Sequence, residues 1–364
     1  MDKANNPFDI CFNIMKIRYA DYDHSITNAA FVHPTDKVNV FINLESVFKN
    51  LSMIQDLERK LILNRNFTTI LASNILNLAG HYKRFFVGNQ LDTRVYLYHT
   101  DFRSQTFAQQ TYNENYRSYF ICKYTQNPKF MYLTDGLVDT VLPNVKTCCE
   151  FIPHVYYISA KDIEGSLVPY IIAKHDQEIG QSRKNFIIGN DLYDSQYNYL
   201  PGFLYHHFKR GFGTSFISCD KNEILELSVG KEHSELKELY QSHSFYTSLL
   251  ACEGDKIRSI DGTPGVGPST ISNLLIEGLQ KQRITPGITN PRILSEIFLE
   301  NEIKERFIKS YYCTSIPDMY EEVTDAQKTS ILNQIVDRFD NQGLLDLNKQ
   351  MFYNYPLVLE ALCI

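Results

Sequence analysis

Short runs of β-branched and aromatic residues alternate with longer amphipathic stretches over the first two thirds of the chain. Runs of this kind, bounded by polar residues, predict buried strands. The predicted strands are 38–42, 94–98, 155–158 and 186–189. Apolar residues at helical spacing predict helices at 68–86, 141–151 and 167–174. Strands that alternate with helices in this way predict an α/β layer built on a parallel sheet.

The pattern changes after about residue 245, where one helical stretch follows another. The predicted helices are 245–252, 269–280, 291–298, 303–311, 325–339 and 344–352. No low-complexity linker separates the two halves. We therefore expect an irregular segment at 1–37, an α/β domain at 38–245 and a helical region at 246–364, with the last two packed as one body.

Polar residues follow the predicted strands. Ligands of parallel α/β sheets bind beyond the carboxyl ends of the strands. This edge brings together Asn43, the stretch 99–101, Glu164 and Asp191. A second polar stretch, 206–213, is basic, aromatic and contains glycine, and is predicted to be an exposed loop.

Composition excludes several classes of protein. Of 364 residues, 43% are hydrophobic and 21% charged, which is enough apolar material for a core. The net charge is 36 − 42 = −6, so any contact with nucleic acid must be local. The eight cysteines are scattered without a C-x-x-C pair, and no export signal or long apolar run is present. We therefore expect a soluble cytoplasmic protein with free thiols and no membrane partner. Zinc-protease, Walker A and serine-hydrolase motifs are also missing from the sequence.

The most informative stretch is 254–271, which reads GDKIRSIDGTPGVGPSTI. Gly262, Gly265 and Gly267 lack a Cβ and so permit tight turns and close approach of a ligand. Pro268 suits the first turn of a following helix. A glycine turn that opens onto a helix N-terminus presents N–H groups and the positive end of the helix dipole to an anion. The alternative is a helix–helix connection without a ligand.

This stretch resembles the helix–three-turn–helix element of the flap endonuclease and 5′-3′ exonuclease family, whose pattern is G-D-x-S-D-N-I-P-G-V-x-G-I-G-x-K-T-A. The matching positions are Gly254, Asp255, Ile260, Gly262, Gly265, Val266, Gly267 and Thr270. The resemblance implies a PIN-like, Rossmann-like α/β domain before the element. It implies that the turn grips the DNA backbone and holds a monovalent cation at 262–267. The DNA-binding residues implied are Gly262, Gly265, Val266, Gly267, Ser269 and Thr270.

The acidic residues of that family are matched only in part. Glu164 and Asp191 are in register and are the expected catalytic residues and metal ligands. Asp101 and Asp194 lie near family positions and are further candidate metal ligands, although ordinary strand-end roles remain open for all four. Two positions that hold a metal-binding Asp in the family are Asn43 and Arg258 here. Binding of Mg²⁺ or Mn²⁺ is therefore expected to be weak.

Three functions remain open. The first is a nuclease-like protein that binds DNA at a 5′ end or junction through phosphates, with weak or lost nuclease activity. The second is a Mg²⁺-dependent 5′ nuclease whose site is rebuilt by Asp101, Asp194 and Glu45. The third is a viral structural or assembly protein that reuses the fold. Asn43 and Arg258 favour the first over the second, the glycine turn favours it over the third, and the acidic net charge favours the third.

Overall fold

The computed structural model of the chain describes two long stretches of the α/β part and most of the helical part. The described residues are 36–51, 92–101, 141–150, 152–189, 191–211, 214–218, 238–255, 260–285 and 287–336, with a few positions between 72 and 83 and residue 225. Arg258 and the predicted helix 344–352 lie outside them, as do most of the predicted helix 68–86 and nearly all of segment 1–37.

Within these residues, six strands form one sheet in the order β3-β2-β1-β4-β5-β6. The strands are β1 (Lys37–Asn43), β2 (Asp92–Thr100), β3 (Val155–Ala160), β4 (Lys184–Gly189), β5 (Phe203–Gly211) and β6 (Thr214–Ser218). The first five run parallel, and β6 pairs antiparallel with β5. The order 3-2-1-4-5 is that of a doubly wound, Rossmann-like sheet. The predicted α/β class with a parallel sheet is therefore confirmed.

The central strands are covered on both faces, which explains their nearly continuous apolar sequences. Every residue of β1 after Lys37 is buried. On one face the rings of Phe41, Tyr96 and Tyr156 stack across three strands, with centroid separations of 4.8 and 5.1 Å. In a chain without tryptophan, stacked smaller aromatic residues fill this layer.

Helices flank the sheet and then continue as the helical region. They are α1 (Leu44–Leu51), α2 (Leu142–Cys149), α3 (Val168–Glu178), α4 (His243–Glu253), α5 (Pro268–Gln280), α6 (Pro291–Leu294), α7 (Asn301–Thr314), α8 (Ile316–Glu322) and α9 (Asp325–Leu332). Side-chain caps fix three of these starts: Asn290 for α6, Ser315 for α8 and a capping box on Thr324 for α9. None of the helices in the described part of the chain is long and apolar enough to cross a membrane.

Among the described residues, two hydrophobic clusters link these layers to the helices. One lies between the sheet and helices α3, α8 and α9, and the other is built around α4, α5 and α7. Ile260 belongs to the first core and Val266 to the second. The glycine turn between α4 and α5 therefore begins against the α/β layer and ends in the helical region.

The four predicted strands are confirmed, each one or two residues longer at an end than its apolar run. The prediction of a loop at 206–213 is wrong: residues through 211 belong to β5, and 214–218 form β6. The predicted helix 291–298 is instead a short α6 followed by a 3₁₀ turn, Ser295–Ile297, and α9 ends at Leu332 rather than at 339. The domain boundary near residue 245 stays a prediction.

Candidate functional site

The connection between α4 and α5 contains two glycines that the fold itself requires. Gly254 has a φ of +71°, and a Cβ there would lie 2.3 Å from the backbone nitrogen of Gly262. A Cβ on Gly262 would lie 2.5 Å from the carbonyl oxygen of Cys252. The backbones of the helix end and the turn are thus in direct contact, and a bridge between Asp255 and Ile260 closes the segment between them. No larger residue fits at 254 or 262.

The other two glycines of the turn face open space. A Cβ on Gly265 or on Gly267 would meet no atom of the protein within 4 Å. Gly265 has a φ of +73°, which favours glycine on its own account, whereas Gly267 has an extended backbone (φ −84°, ψ 178°) that any residue adopts. The glycine at 267 is therefore required neither by close packing nor by a left-handed backbone, although glycine is among the residues favoured at a helix N-cap. The missing side chain leaves the start of α5 open to close approach of a ligand.

Gly267 is also the N-cap of α5, without a capping side chain. The first N–H groups of a helix have no partner within the helix, and Pro268 contributes none. Ser269 and Thr270 follow it in the first turn, and both are exposed. Val266 is buried and Thr263 donates its N–H to the Cys252 carbonyl at 2.9 Å, which anchors the turn. The arrangement presents backbone N–H groups and the positive end of the helix dipole to solvent.

The second feature is the edge of the sheet at the carboxyl ends of β1, β2, β3 and β4, which we call the acidic edge. The order in which the strands follow one another along the sheet reverses between β1 and β4. In doubly wound sheets a ligand-binding crevice forms at this point. The four candidate metal ligands follow these strands: Asp101 after β2, Glu164 after β3, and Asp191 and Asp194 after β4. Glu164 and Asp194 are buried, while Asp101 and Asp191 are half-buried. The strand ends thus meet at one edge, as the sequence predicts.

Several side chains of the acidic edge are held by hydrogen bonds from the chain itself. The amide nitrogen of Asn43 donates to Oδ2 of Asp194 at 2.8 Å. The backbone N–H of Thr100 donates to Oε1 of Glu45 at 2.7 Å. Oδ1 of Asp191 accepts from the backbone N–H two residues further on, at 3.0 Å. At least one oxygen of each of these three carboxylates is therefore already engaged.

Asp194 is fully buried, and tyrosines lie around it. Burial raises the pKa of Tyr98, Tyr197 and Tyr205, and the negative charge of Asp194 raises each further. The hydroxyl group of Tyr98 is buried and has no hydrogen-bond partner among the residues that the structure describes. The environment of Asp194 is therefore poor in water, and the hydrogen bond from Asn43 matters correspondingly more.

Tyr193 lies next to Asp194 in the sequence, yet it faces away from the acidic edge. Its hydroxyl group donates to the carbonyl oxygen of Cys313 at 2.7 Å, in the core beneath α7 and α8. Asp194, one position further along, is the residue that reaches Asn43. In the described part of the chain, no three Asp, Glu, His or Cys side chains are placed to share one metal ion. The metal-binding roles of Asp101, Glu164, Asp191 and Asp194 stay predictions.

Gln196 is a buried residue whose role the sequence does not reveal. Its amide nitrogen donates to the carbonyl oxygens of Tyr193 and Thr314, each at 3.0 Å. Its amide oxygen accepts from the N–H of Ile316 at 3.0 Å and lies 3.3 Å from Nε2 of His243. One buried amide thus joins the segment after β4 to the starts of α4 and α8 and to the end of α7. The two parts of the chain are held in a fixed relation by these bonds.

The fold and its two features define an α/β protein with a doubly wound sheet, an acidic edge and a helix–turn–helix connection. No family model matches the chain, and no curated protein sequence does. Among solved structures, a bacteriophage T5 protein co-crystallised with metal ions is 14% identical, with a TM-score of 0.45 over 82% of this chain and 100% of that one. The bacteriophage T5 flap endonuclease in a pseudo-enzyme–product complex with DNA and metal ions is also 14% identical (TM-score 0.44, 82% and 99% covered). The T5 5′-exonuclease with bound zinc is 10% identical (TM-score 0.40, 87% and 99% covered). These likenesses concern the path of the chain and say nothing about its activity.

Proposed function

We propose that this chain is a DNA-binding protein of the flap endonuclease and 5′-3′ exonuclease kind, with a PIN-like domain and weak or lost nuclease activity. In this proposal the turn 262–270 grips the phosphate backbone at a 5′ end or junction. The observation that carries the proposal is Gly267, which is a glycine in an extended backbone with open space where its Cβ would be. What sets Gly267 apart from other exposed glycines is its place at the N-cap of α5, where the missing Cβ lets a phosphate approach the N–H groups of the helix.

The electrostatics of the turn are compatible with a protein whose net charge is −6. Backbone N–H groups and the helix dipole attract a phosphate without any basic side chain. The dipole acts within the first helical turn and is screened by salt, so its contribution is local. DNA binding through this turn is therefore expected to be modest and to weaken as salt is added.

Weak or lost hydrolysis is supported by the acidic edge. Two-metal hydrolysis of phosphodiesters needs two divalent ions held about 3.5–4 Å apart, and Mg²⁺ is held by carboxylate oxygens. At the end of β1 this chain carries the amide of Asn43, which brings no negative charge and donates a hydrogen bond to Asp194. A nuclease that uses Asp101, Glu164, Asp191 and Asp194 is the alternative, because all four follow strands of the same edge.

The decisive experiment compares Gly267→Val with Gly287→Val. Gly287 lies in the connection between α5 and α6; it too has open space where its Cβ would be, and its φ is not left-handed. Both variants should fold, and equal thermal midpoints would establish this. Fluorescence anisotropy with a labelled 5′-flap duplex at low salt then measures the affinity. We expect Gly267→Val to bind about tenfold more weakly, a loss of about 1.4 kcal/mol, and Gly287→Val to bind like the wild type.

Equal affinities of all three proteins would refute the proposed contact. Gly265 is a poorer choice for this test than Gly267, because its left-handed φ makes any β-branched residue strained irrespective of DNA. The nuclease alternative has its own readout. Metal-dependent cleavage of the flap by the wild type, abolished in Asp191→Ala, would replace weak or lost activity by a working enzyme.

A further inference from the structure

The orientation of the Asn43 amide is fixed by the helix that follows β1. The oxygen Oδ1 accepts from the backbone N–H groups of Glu45, at 2.9 Å, and Ser46, at 3.4 Å, in the first turn of α1. A backbone N–H only donates, so the oxygen of the amide must face the helix. The NH₂ group is left to face Asp194, and its nitrogen lies 2.8 Å from Oδ2 of that residue.

Asp194 needs a compensating partner because it is completely buried. A buried carboxylate is stable only when it is paired, hydrogen-bonded or bound to a metal. In this chain the amide of Asn43 supplies a hydrogen-bond donor on the side of β1. An N–H group cannot be a metal ligand, and the nitrogen that carries it lies 2.8 Å from Oδ2 of Asp194, between the end of β1 and the segment after β4.

The neighbouring acids of the edge are engaged in the same way. Glu45 accepts the N–H of Thr100, and Asp191 accepts the N–H of Tyr193. Close packing also limits the space: a Cβ on Gly165 would lie 2.7 Å from the backbone nitrogen of Thr100, and one on Gly189 would lie 3.0 Å from Oγ of Ser46. Mg²⁺ requires near-octahedral oxygen ligands and keeps several of its waters. One oxygen of each of Glu45, Asp191 and Asp194 is thus held by a donor of the chain itself, and the segments that carry these residues pack closely.

We infer that the acidic edge of this protein is closed by hydrogen bonds and takes up no divalent ion, with the amide of Asn43 standing beside Asp194 in place of a cation. The residues present therefore do not fit the divalent-ion centre that the family resemblance implies. This inference goes beyond DNA binding at the glycine turn. It is tested without nucleic acid, so each of the two proposals can fail while the other holds.

A matched control lies four residues earlier on the same strand and on the same face. Asn39 is also completely buried, and its amide nitrogen donates to Oδ2 of Asp176 at 2.8 Å. Asn39→Asp and Asn43→Asp therefore each place a new carboxylate beside a buried Asp, at opposite ends of β1. At the Asn39 end the amide also donates to Oδ1 of Asn185 at 3.1 Å, and Arg94 lies 3.8 Å from Asp176. Only the second change lies at the acidic edge.

The experiment follows thermal unfolding in EDTA and in Mn²⁺ from micromolar to millimolar concentration. We expect no shift of the midpoint in the wild type. We expect Asn43→Asp to have a lowered midpoint in EDTA that rises with the logarithm of the Mn²⁺ concentration, because an ion that binds only the folded state stabilises it. Asn39→Asp should also be destabilised, but Mn²⁺ should not restore it. The exchange variant Asn43→Asp with Asp194→Asn keeps one amide and one carboxylate, and it should be close to the wild type and insensitive to Mn²⁺.

Two results would overturn the inference. The first is a wild-type midpoint that rises with Mn²⁺ and loses this rise in Asp194→Asn. The second is an Asn43→Asp variant that does not respond to Mn²⁺, or that responds no more than Asn39→Asp. If Asn43→Asp does not fold in EDTA, it is purified in Mn²⁺ and the chelator is added afterwards. Unfolding on chelation then supports the inference, and failure to fold in either condition counts against it.

Discussion

Replacing Gln196 by methionine tests whether one buried amide joins the α/β layer to the helical region. Methionine has nearly the same length and shape, so the change removes four polar contacts without leaving a large cavity. Gln196 is completely buried. Its amide is the hydrogen-bond partner found for the N–H of Ile316 and the carbonyl oxygen of Thr314, at the junction of α7 and α8.

The magnitude follows from the groups that lose their partner. A buried backbone group left without a hydrogen bond costs about 1–3 kcal/mol. Two such groups, the N–H of Ile316 and the carbonyl of Thr314, set the expected loss at about 2–6 kcal/mol. The contacts with Tyr193 and His243 add less, because the first spans only three residues and the second is long, at 3.3 Å. A loss of this size is a large part of the 5–15 kcal/mol that typically stabilises a protein.

Urea denaturation followed by circular dichroism measures this loss. The control is Gln177→Met, which makes the same chemical change at an exposed position of α3, where a change within about 0.5 kcal/mol is expected. If Gln196→Met lowers the free energy of unfolding by less than about 1 kcal/mol, with an unchanged dependence on urea, the amide does not stabilise the junction of α7 and α8. A transition that splits into two steps would support the role of Gln196 as the link, because the two parts would then unfold separately.

Three further predictions concern other parts of the fold. Burial lowers the pKa of three histidines from 6.5 to about 4, 3 and 4; they are His99, His206 and His243. Below pH 6.5 these histidines bind protons in the unfolded chain, whereas in the folded chain they stay neutral until about pH 4. The free energy of unfolding should therefore fall as the pH is lowered, by up to about 1.4 kcal/mol per pH unit for each histidine. Urea midpoints that stay equal at pH 7 and pH 5 would contradict this. Gly165→Ala should cost about 1–3 kcal/mol in urea unfolding, because the added methyl group meets the backbone of Thr100. Tyr193→Phe should cost about 1 kcal/mol by the same measurement, through the lost hydrogen bond to Cys313.

The sheet was predictable from the sequence because strands buried on both faces are nearly continuous apolar runs. The stretch from Val38 to Ile42 is of this kind, and all of it is buried. The edge of the sheet was not predictable in the same way. His206 to Gly211 has the composition of a loop, yet this segment pairs with β4 and β6. Basic and polar residues are common on strands near a sheet edge, so such a composition does not exclude a strand. Composition alone does not distinguish such a strand from a turn.

The acidic edge was predictable in outline and not in detail. Parallel strands bring their carboxyl ends together whatever their side chains are, so the placement of Asp191 and Glu164 follows from topology. Topology does not determine which of the side chains of Tyr193 and Asp194 points toward this edge. A 3₁₀ helix begins at Asp194, and in such a helix neighbouring side chains point about 120° apart. One residue of displacement therefore sends Tyr193 into the core and Asp194 toward Asn43, which no pattern of spacing along the sequence reveals.

The glycine turn and the acidic edge differ in how strongly the sequence constrains them. The turn depends on backbone geometry: Gly254 and Gly262 allow two segments of backbone to touch, and Gly265 allows a left-handed residue. Any other residue at these positions meets a steric penalty, so the spacing of the glycines in the sequence is enough to predict the turn. The acidic edge depends on charge, and charge can be compensated in more than one way. The amide of Asn43 donates a hydrogen bond to Oδ2 of Asp194, and this bond holds the end of β1 next to the segment after β4. The backbone of the turn and the charges of the acidic edge are therefore constrained independently, and a substitution in one need not disturb the other.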